Sequence, residues 1–259
     1  MSTTPRLITI PFSHFCEKAR WALDYAAVAY DEERHVPVAH VLAVKRAGGK
    51  RSVPCLVTRD GTLNDSRDIV RFADAHATDD RKLFPASEAE RREVETLESS
   101  FDRDLGPHLR RLLYFHLLDR REAALRLFAR SAPPFEMAIM RPLFPMVRLL
   151  MTRSMKIDAR TAQRSHDVVR RVFDHVDASL ADGRRYLVGE RFTSADLTFA
   201  ALASPAIRPK EHPVQYPSDA GVPDAVQAIS ASLCGTLGGK FVLTMYRDHR
   251  GAAVAHRAE

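Results

Sequence analysis

The chain reads as a small α/β domain followed by an all-helical domain. Three observations point there. A short apolar run, Leu7 to Ile10, enters a helix at Ser13-His14 through Pro11. A proline-led apolar run, Val53 to Val57, meets a second short strand across the turn Asp60-Gly61. From Ser87 onward the apolar residues recur at helical spacing almost to the end, and no strand pattern returns.

In the first helix, apolar or small residues fall at Phe15, Ala19, Ala22, Leu23 and Ala26, one stripe of a helix with a buried face. Ser13 then stands at the helix N-terminus, where free N–H groups and the dipole favour negative charge. Cys16 follows one turn later. A hydroxyl and a thiol at this spacing have the geometry of a C-x-x-C site whose first cysteine is replaced. Tyr30 to His35 reads as the second strand, Ala39 to Arg46 as a short helix stopped by Gly48-Gly49. Pro54 at a strand start belongs at an edge, a turn or a cis bond. Thr62 to Asn64 returns from the hairpin, and Asp65-Ser66 caps a helix carrying Ile69, Phe72 and Ala73. The order β-α-β-α-β-β-α within residues 1–78 is that of a thioredoxin-like domain.

Residues 77–86 are polar and read as a linker. The second domain, 87–259, opens on Ser87 and Glu90, a capping-box pair, and its first helix runs towards Leu105 until Gly106-Pro107 interrupt or kink it. Leu109, Leu112, Leu113, Phe115 and Leu117 resume the pattern. The segment 131–157 sets Pro133, Pro134, Pro142 and Pro145 among apolar residues including Met137, Met140 and Met146. It is expected to line part of a hydrophobic pocket; extra core, a dimer contact or a membrane-surface contact are the alternatives. Val168, Val172, Val176 and Leu180 mark one amphipathic helix. Thr193 and Asp196 form a second capping box, with Phe192 and Leu197 as its hydrophobic staple. The helix after it is expected to stop at Pro205. Two helices, Pro223 to Leu233 and Lys240 to Arg250, precede a loose tail from Gly251.

The charge balance, 39 basic against 33 acidic side chains in 259 residues, is spread along the chain and argues against a nucleic-acid partner. Cys16, Cys55 and Cys234 are odd in number and far apart, so no disulfide framework is implied and a cytoplasmic location is expected. No signal-peptide pattern, membrane span or metal-ligand spacing is expected from this sequence.

Together these residues resemble the cytosolic glutathione transferases, nearly from end to end. Ser13-His14-Phe15-Cys16 with Arg20 looks like the active-site turn of the serine- and cysteine-type classes. Val53-Pro54 resembles the cis-proline corner that holds the glutathione backbone, and Asp65-Ser66 the pair that grips its γ-glutamyl end. Leu187-Val188-Gly189 and Thr193 to Asp196 stand where the family has them. No tyrosine lies near the end of the first strand, which disfavours the tyrosine-type classes. Ser52 replaces a lysine common in the family, so either Lys50 or Arg51 is left to meet the glycyl carboxylate.

The resemblance implies a homodimeric, detoxifying transferase in the glutathione transferase architecture. Glutathione is its co-substrate, no metal is used, and a hydrophobic electrophile is the partner substrate. Ser13 would donate a hydrogen bond to the glutathione thiolate, with Lys50, Arg51, Val53, Pro54, Asp65 and Ser66 as further ligands. Phe12, Phe15, Leu112 and Phe115 are the expected pocket walls. Lowering a thiol pKa by two units takes about 2.7 kcal/mol. A helix end supplies about 0.3–1 kcal/mol, and a hydrogen bond to a charged group about 1.5–3 kcal/mol. Ser13 and the helix together suffice. Cys16 is the alternative catalyst, in a thiol oxidoreductase; otherwise it is a small core residue. A non-catalytic binding protein and a glutathione-dependent isomerase complete the alternatives. Outside this context Ser13 reads as a plain helix cap, and His14 reads as a partly exposed loop side chain bordering the site.

Overall fold

The computed structural model describes residues 4–216 and 221–250; the expected tail from Gly251 lies outside them. Strands β1 (Arg6–Thr9), β2 (Asp31–Arg34), β3 (Cys55–Thr58) and β4 (Gly61–Leu63) form one sheet in the order β2-β1-β3-β4. The pair β1 and β2 is parallel, and the other two pairs are antiparallel. Helices α1 (His14–Tyr25), α2 (His40–Arg46) and α3 (Ser66–His76) complete this layer, and the Val53–Pro54 bond is cis. Expected and observed order agree element by element. The signal is local: each strand is bounded by Pro, Gly or Asp residues that set the turns.

Helix α4 (Glu88–Ser100) passes through a π-helical turn, Phe101–Leu105, into α5 (Gly106–Leu117), so Pro107 opens a helix and does not end one. Leu105 and Gly106 ahead of it are themselves helical, so the chain stays helical from α4 into α5. Then come α6 (Arg121–Phe128), α7 (Pro134–Ser154), α8 (Ala159–Leu180), α9 (Ser194–Ile207), α10 (Asp224–Cys234) and α11 (Leu237–Met245).

One proline expectation is corrected: Pro205 lies inside α9 and does not stop it. Pro142 and Pro145 likewise lie inside the continuous helix α7. An interior proline costs about 3 kcal/mol in local terms. Burial offsets it: α9 is buried on every side, with Leu197, Phe199 and Leu202 at 0% exposure.

The main core joins both layers. Leu7, Leu23 and Ile69 from the α/β layer pack with Phe101, Phe173, Phe199 and Val242 from the helices. Trp21 sits at the join, its ring 5.8 Å from Phe192 and 4.5 Å from Tyr246. A second cluster gathers Phe12, Val36, Phe128, Met137, Met140, Phe144 and Val147. It seats α6 and one face of α7 against the segment that enters α1. Helix α1 buries far more than its apolar stripe, because Glu17, Lys18, Arg20 and Asp24 are also covered. Each finds opposite charge: Lys18 Nζ is 3.0 Å from Glu98 and 2.9 Å from Asp102, and Arg20 is 3.0 Å from Glu17 and 2.9 Å from Glu32. Ion pairs with covered partners are the condition under which such groups are found inside.

Candidate active site

Ser13 is the last residue before α1. Its backbone is extended (φ −75°, ψ 123°), and its hydroxyl makes no capping bond to the helix. The peptide groups hold it in place instead: Ser13 N donates to Ile10 O at 3.0 Å, and Glu17 N donates to Ser13 O at 2.8 Å. Ser13 is thus the N-cap residue by position, without a capping bond from its side chain. Arg20 is a brace for this turn and not an exposed charge. Its Nη2 donates to Pro11 O at 2.7 Å while Nη1 holds Glu32.

Ser13 opens on a cavity of about 400 Å³ between the two layers. Ile10, Phe12, His14, Val38 and Val41 line it from the α/β side, with Arg51, Ser52 and Val53 at one margin. The helical side contributes Arg110, Leu113, Tyr114 and Leu117 of α5, Leu127 of α6, Leu150 and Met151 of α7, and Pro205, Arg208 and Tyr216 further on. Most of this wall is apolar, the usual make-up of a small-molecule site.

Several expectations about the walls are corrected. Phe12 is a wall residue, but Phe15, Leu112 and Phe115 are not. The Phe15 ring is pressed against Gly106, where a Cβ would stand 2.4 Å from its Cζ. That contact turns the ring towards α5 and away from the cavity. Leu112 is buried in the core, and Phe115 packs edge-on against His116. The cavity face of α5 runs 110, 113, 114, 117, one residue out of step with the expected stripe. Segment 131–157 contributes only its end, Leu150, Met151, Ser154 and Met155. Earlier in α7, Met137, Met140 and Phe144 face the second core, while Phe135, Ile139, Leu143 and Met146 are exposed.

His14 is also unlike the expected loop residue. It is 4% exposed inside α1, and its Nε2 has no hydrogen-bond partner among the described residues. Burial and the adjacent Arg110 charge push its pKa down to about 3, so it lines the cavity as a neutral ring. Cys16 is 0% exposed and does not line the cavity. Burial pushes its thiol up to about 11, against the smaller opposing effects of Arg20, the Ile10 backbone and the Ser13 hydroxyl. A reactive thiol requires the opposite, an exposed and depressed group, so the catalytic expectation for Cys16 is not supported by its surroundings.

Lys50, Pro54, Asp65 and Ser66 lie off the cavity wall. They adjoin it through the loop that carries Arg51 to Val53. Lys50 N donates to Asn64 Oδ1 at 2.8 Å, which ties that loop to the start of α3. Asp65 caps α3 by accepting from Arg67 N at 2.9 Å, and Ser66 is buried in its first turn. Arg110, Tyr114, Arg208 and Tyr216 were missed by sequence reasoning. For the first two, the i, i+4 spacing on α5 was the available signal; for the others there was none.

The glutathione S-transferase N-terminal domain model matches residues 7–81, and the glutathione S-transferase C-terminal domain model matches residues 132–218. The chain belongs to the glutathione transferase family. No curated protein matches its sequence. Among solved structures it is similar to poplar glutathione transferase F1 (16% identity, 95% of this chain and 100% of that one, TM-score 0.55). It is similar too to a Methylobacterium radiotolerans glutathione S-transferase in complex with glutathione sulfonate (16%, 93% and 95%, TM-score 0.56). A third is the theta class enzyme of Xanthomonas axonopodis pv. citri with glutathione bound (19%, 93% and 97%, TM-score 0.51). At these identities the likeness is one of fold. Among the described residues, no helix is by itself long and apolar enough to cross a membrane.

Proposed function

We propose that the protein is a glutathione transferase that uses Ser13 to hold the glutathione sulfur as a thiolate for attack on an apolar electrophile. One observation carries this reading: Ser13, whose hydroxyl makes no capping bond, lines a largely apolar cavity at the positive end of α1. A donor there, beside a helix N-terminus, lowers the energy of an anion more than that of a neutral thiol. Arg51, Val53, Asp65 and Ser66 would hold the tripeptide, and Phe12, Leu113, Leu117 and Met151 would hold the electrophile. Glutathione supplies the nucleophile; the chain supplies orientation, water exclusion and the hydrogen bond.

The test is conjugation of glutathione to a general aryl halide. Ser13→Ala is expected to lower kcat/KM about 10- to 100-fold, the loss of one hydrogen bond to a charged group. The pKa in the pH–rate profile is expected to rise by about one to two units. An unchanged rate and profile would sink the mechanism. A homodimer is part of the same proposal and is checked by sedimentation velocity; a monomer at micromolar concentration would remove it.

A further inference from the structure

Four arginines, Arg51, Arg110, Arg126 and Arg208, line the cavity, and no Asp or Glu lines it among the described residues. Arg110 is placed differently from the charged residues elsewhere in the interior. Lys18, Arg20 and Arg250 each face carboxylates at 3.0 Å or less. Arg110 has no ion pair among the described residues, and its Nε is buried with no hydrogen-bond partner. Its neighbours are the Phe15 ring, 6.0 Å from Cζ to centroid, and Tyr114 one turn further along α5. Arginine does not escape such a position by losing its proton. A guanidinium in an apolar wall costs stability unless a counter-charge arrives. The described residues supply none there, so the counter-charge fits a ligand. Tyr114 keeps its proton, because burial pushes the phenol up to about 12, and it adds a neutral donor beside the cation. Leu113, Leu117, Leu127 and Met151 on the same wall suit an apolar body.

We propose that the electrophile site is built for hydrophobic substrates carrying a carboxylate, with Arg110 as the counter-ion and the Tyr114 hydroxyl as a second donor. The assignment of an electrophile rests on the transferase reading; the anion subsite does not. Glutathione's own carboxylates are met elsewhere in that reading, at Arg51 and at the start of α3.

The test is calorimetric titration of the full chain with an inert arylalkyl carboxylate and with its primary amide. The carboxylate is expected to bind about tenfold more tightly than the amide, as for a charge-assisted hydrogen-bonded pair. Arg110→Met should bring that ratio close to one, and Arg110→Lys should keep part of it, since the point charge survives and the planar fork does not. In the absence of ligand, Arg110→Met should melt no lower than the parent, because an unpaired charge has been removed from an apolar wall. Equal affinity for acid and amide in the parent overturns the proposal, as does a ratio that survives Arg110→Met. A fall in melting temperature of several degrees also overturns it, by showing that Arg110 serves the fold. So does a rise in the glutathione thiolate pKa matching that of Ser13→Ala, which would assign Arg110 to the sulfur. Glutathione is titrated alongside: failure to bind it sinks the transferase reading and leaves the acid-to-amide ratio standing.

Discussion

Arg250 Nε donates to Glu17 Oε1 at 2.7 Å, joining side chains 233 residues apart. Its Nη1 holds Asp24 Oδ2 at 2.7 Å. The other oxygen of Glu17 accepts from Arg20 Nε at 3.0 Å, and Arg20 in turn holds the Pro11 carbonyl. The π-helical turn Tyr246–Arg250 is thereby linked through α1 to the turn that presents Ser13. The C-terminal helices are therefore part of the scaffold of the site. Arg250→Ala removes one of the two guanidinium groups that face Glu17 and takes a buried cation away from Asp24. It is expected to cost about 3–5 kcal/mol, the usual penalty for removing one partner of a buried pair. Urea denaturation measures it, and a loss under 1 kcal/mol would show the network to be dispensable.

Acid should weaken the fold in two stages. His212 is held neutral, its pKa pushed down to about 4 by burial despite Glu17 nearby at 3.8 Å. Its folded pKa is below its unfolded value of 6.5, so the unfolded chain binds the extra proton and stability falls as pH drops from 6.5 through about 4. His14 acts in the same sense, down to about 3. Burial alone would raise Glu17, but Arg250, His212 and Arg20 outweigh it and bring it down to about 2. Its contribution is present above 4.5 and is lost as pH falls towards about 2. Asp196 opposes them, since burial raises it to about 6 and its contribution is lost as pH rises through that value. Two imidazoles and Glu17 outweigh one carboxyl. Scanning calorimetry should show the melting temperature falling below pH 6.5 and falling further below 4.5; a flat profile would contradict this.

The cysteines should separate by reactivity. Cys16 and Cys55 are 0% exposed, whereas Cys234 is half-buried. Burial raises all three thiols, Cys16 to about 11. Iodoacetamide on the native protein is expected to label Cys234 first and Cys16 only after denaturation. Early labelling of Cys16, read by peptide mass, would reopen the thiol oxidoreductase reading.

The capping box of α9 is tested at Thr193. Its N and Oγ1 both donate to Asp196 Oδ2 at 2.8 Å, and Leu187 N donates to Oδ1 at 2.8 Å. Thr193→Val removes one donor and should cost about 1 kcal/mol. Asp196→Ala should cost more, about 1–3 kcal/mol for each buried N–H left without an acceptor. Equal losses for the two variants, measured by urea denaturation, would show that the carboxylate does not tie the Leu187 loop to the helix.

The order of the α/β elements, a hairpin turn at or beside Asp60, the capping box of α9 and the place of Ser13 were legible in sequence. Each is written in residues that lie within a few positions of one another and act on their own backbone. The pocket walls were not. Phe15 and Phe115 are apolar residues near Ser13 or on α5, and nothing in their spacing says which way they turn. The answer lies with Gly106, which admits the Phe15 ring, and with the packing that turns α5 to present Arg110 and Tyr114.

Local chemistry in the chain determined the order of the α/β elements, the start of α9, and that a hydroxyl stands at the mouth of α1. Tertiary packing alone decided that Pro205 stays inside a helix, that Cys16 is sealed away, and that Arg110 faces an apolar cavity lined by no carboxylate among the described residues. The physical reason is range. Caps and turns act over three or four residues, whereas burial, exposure and ion pairing depend on side chains brought together from as far apart as Glu17 and Arg250.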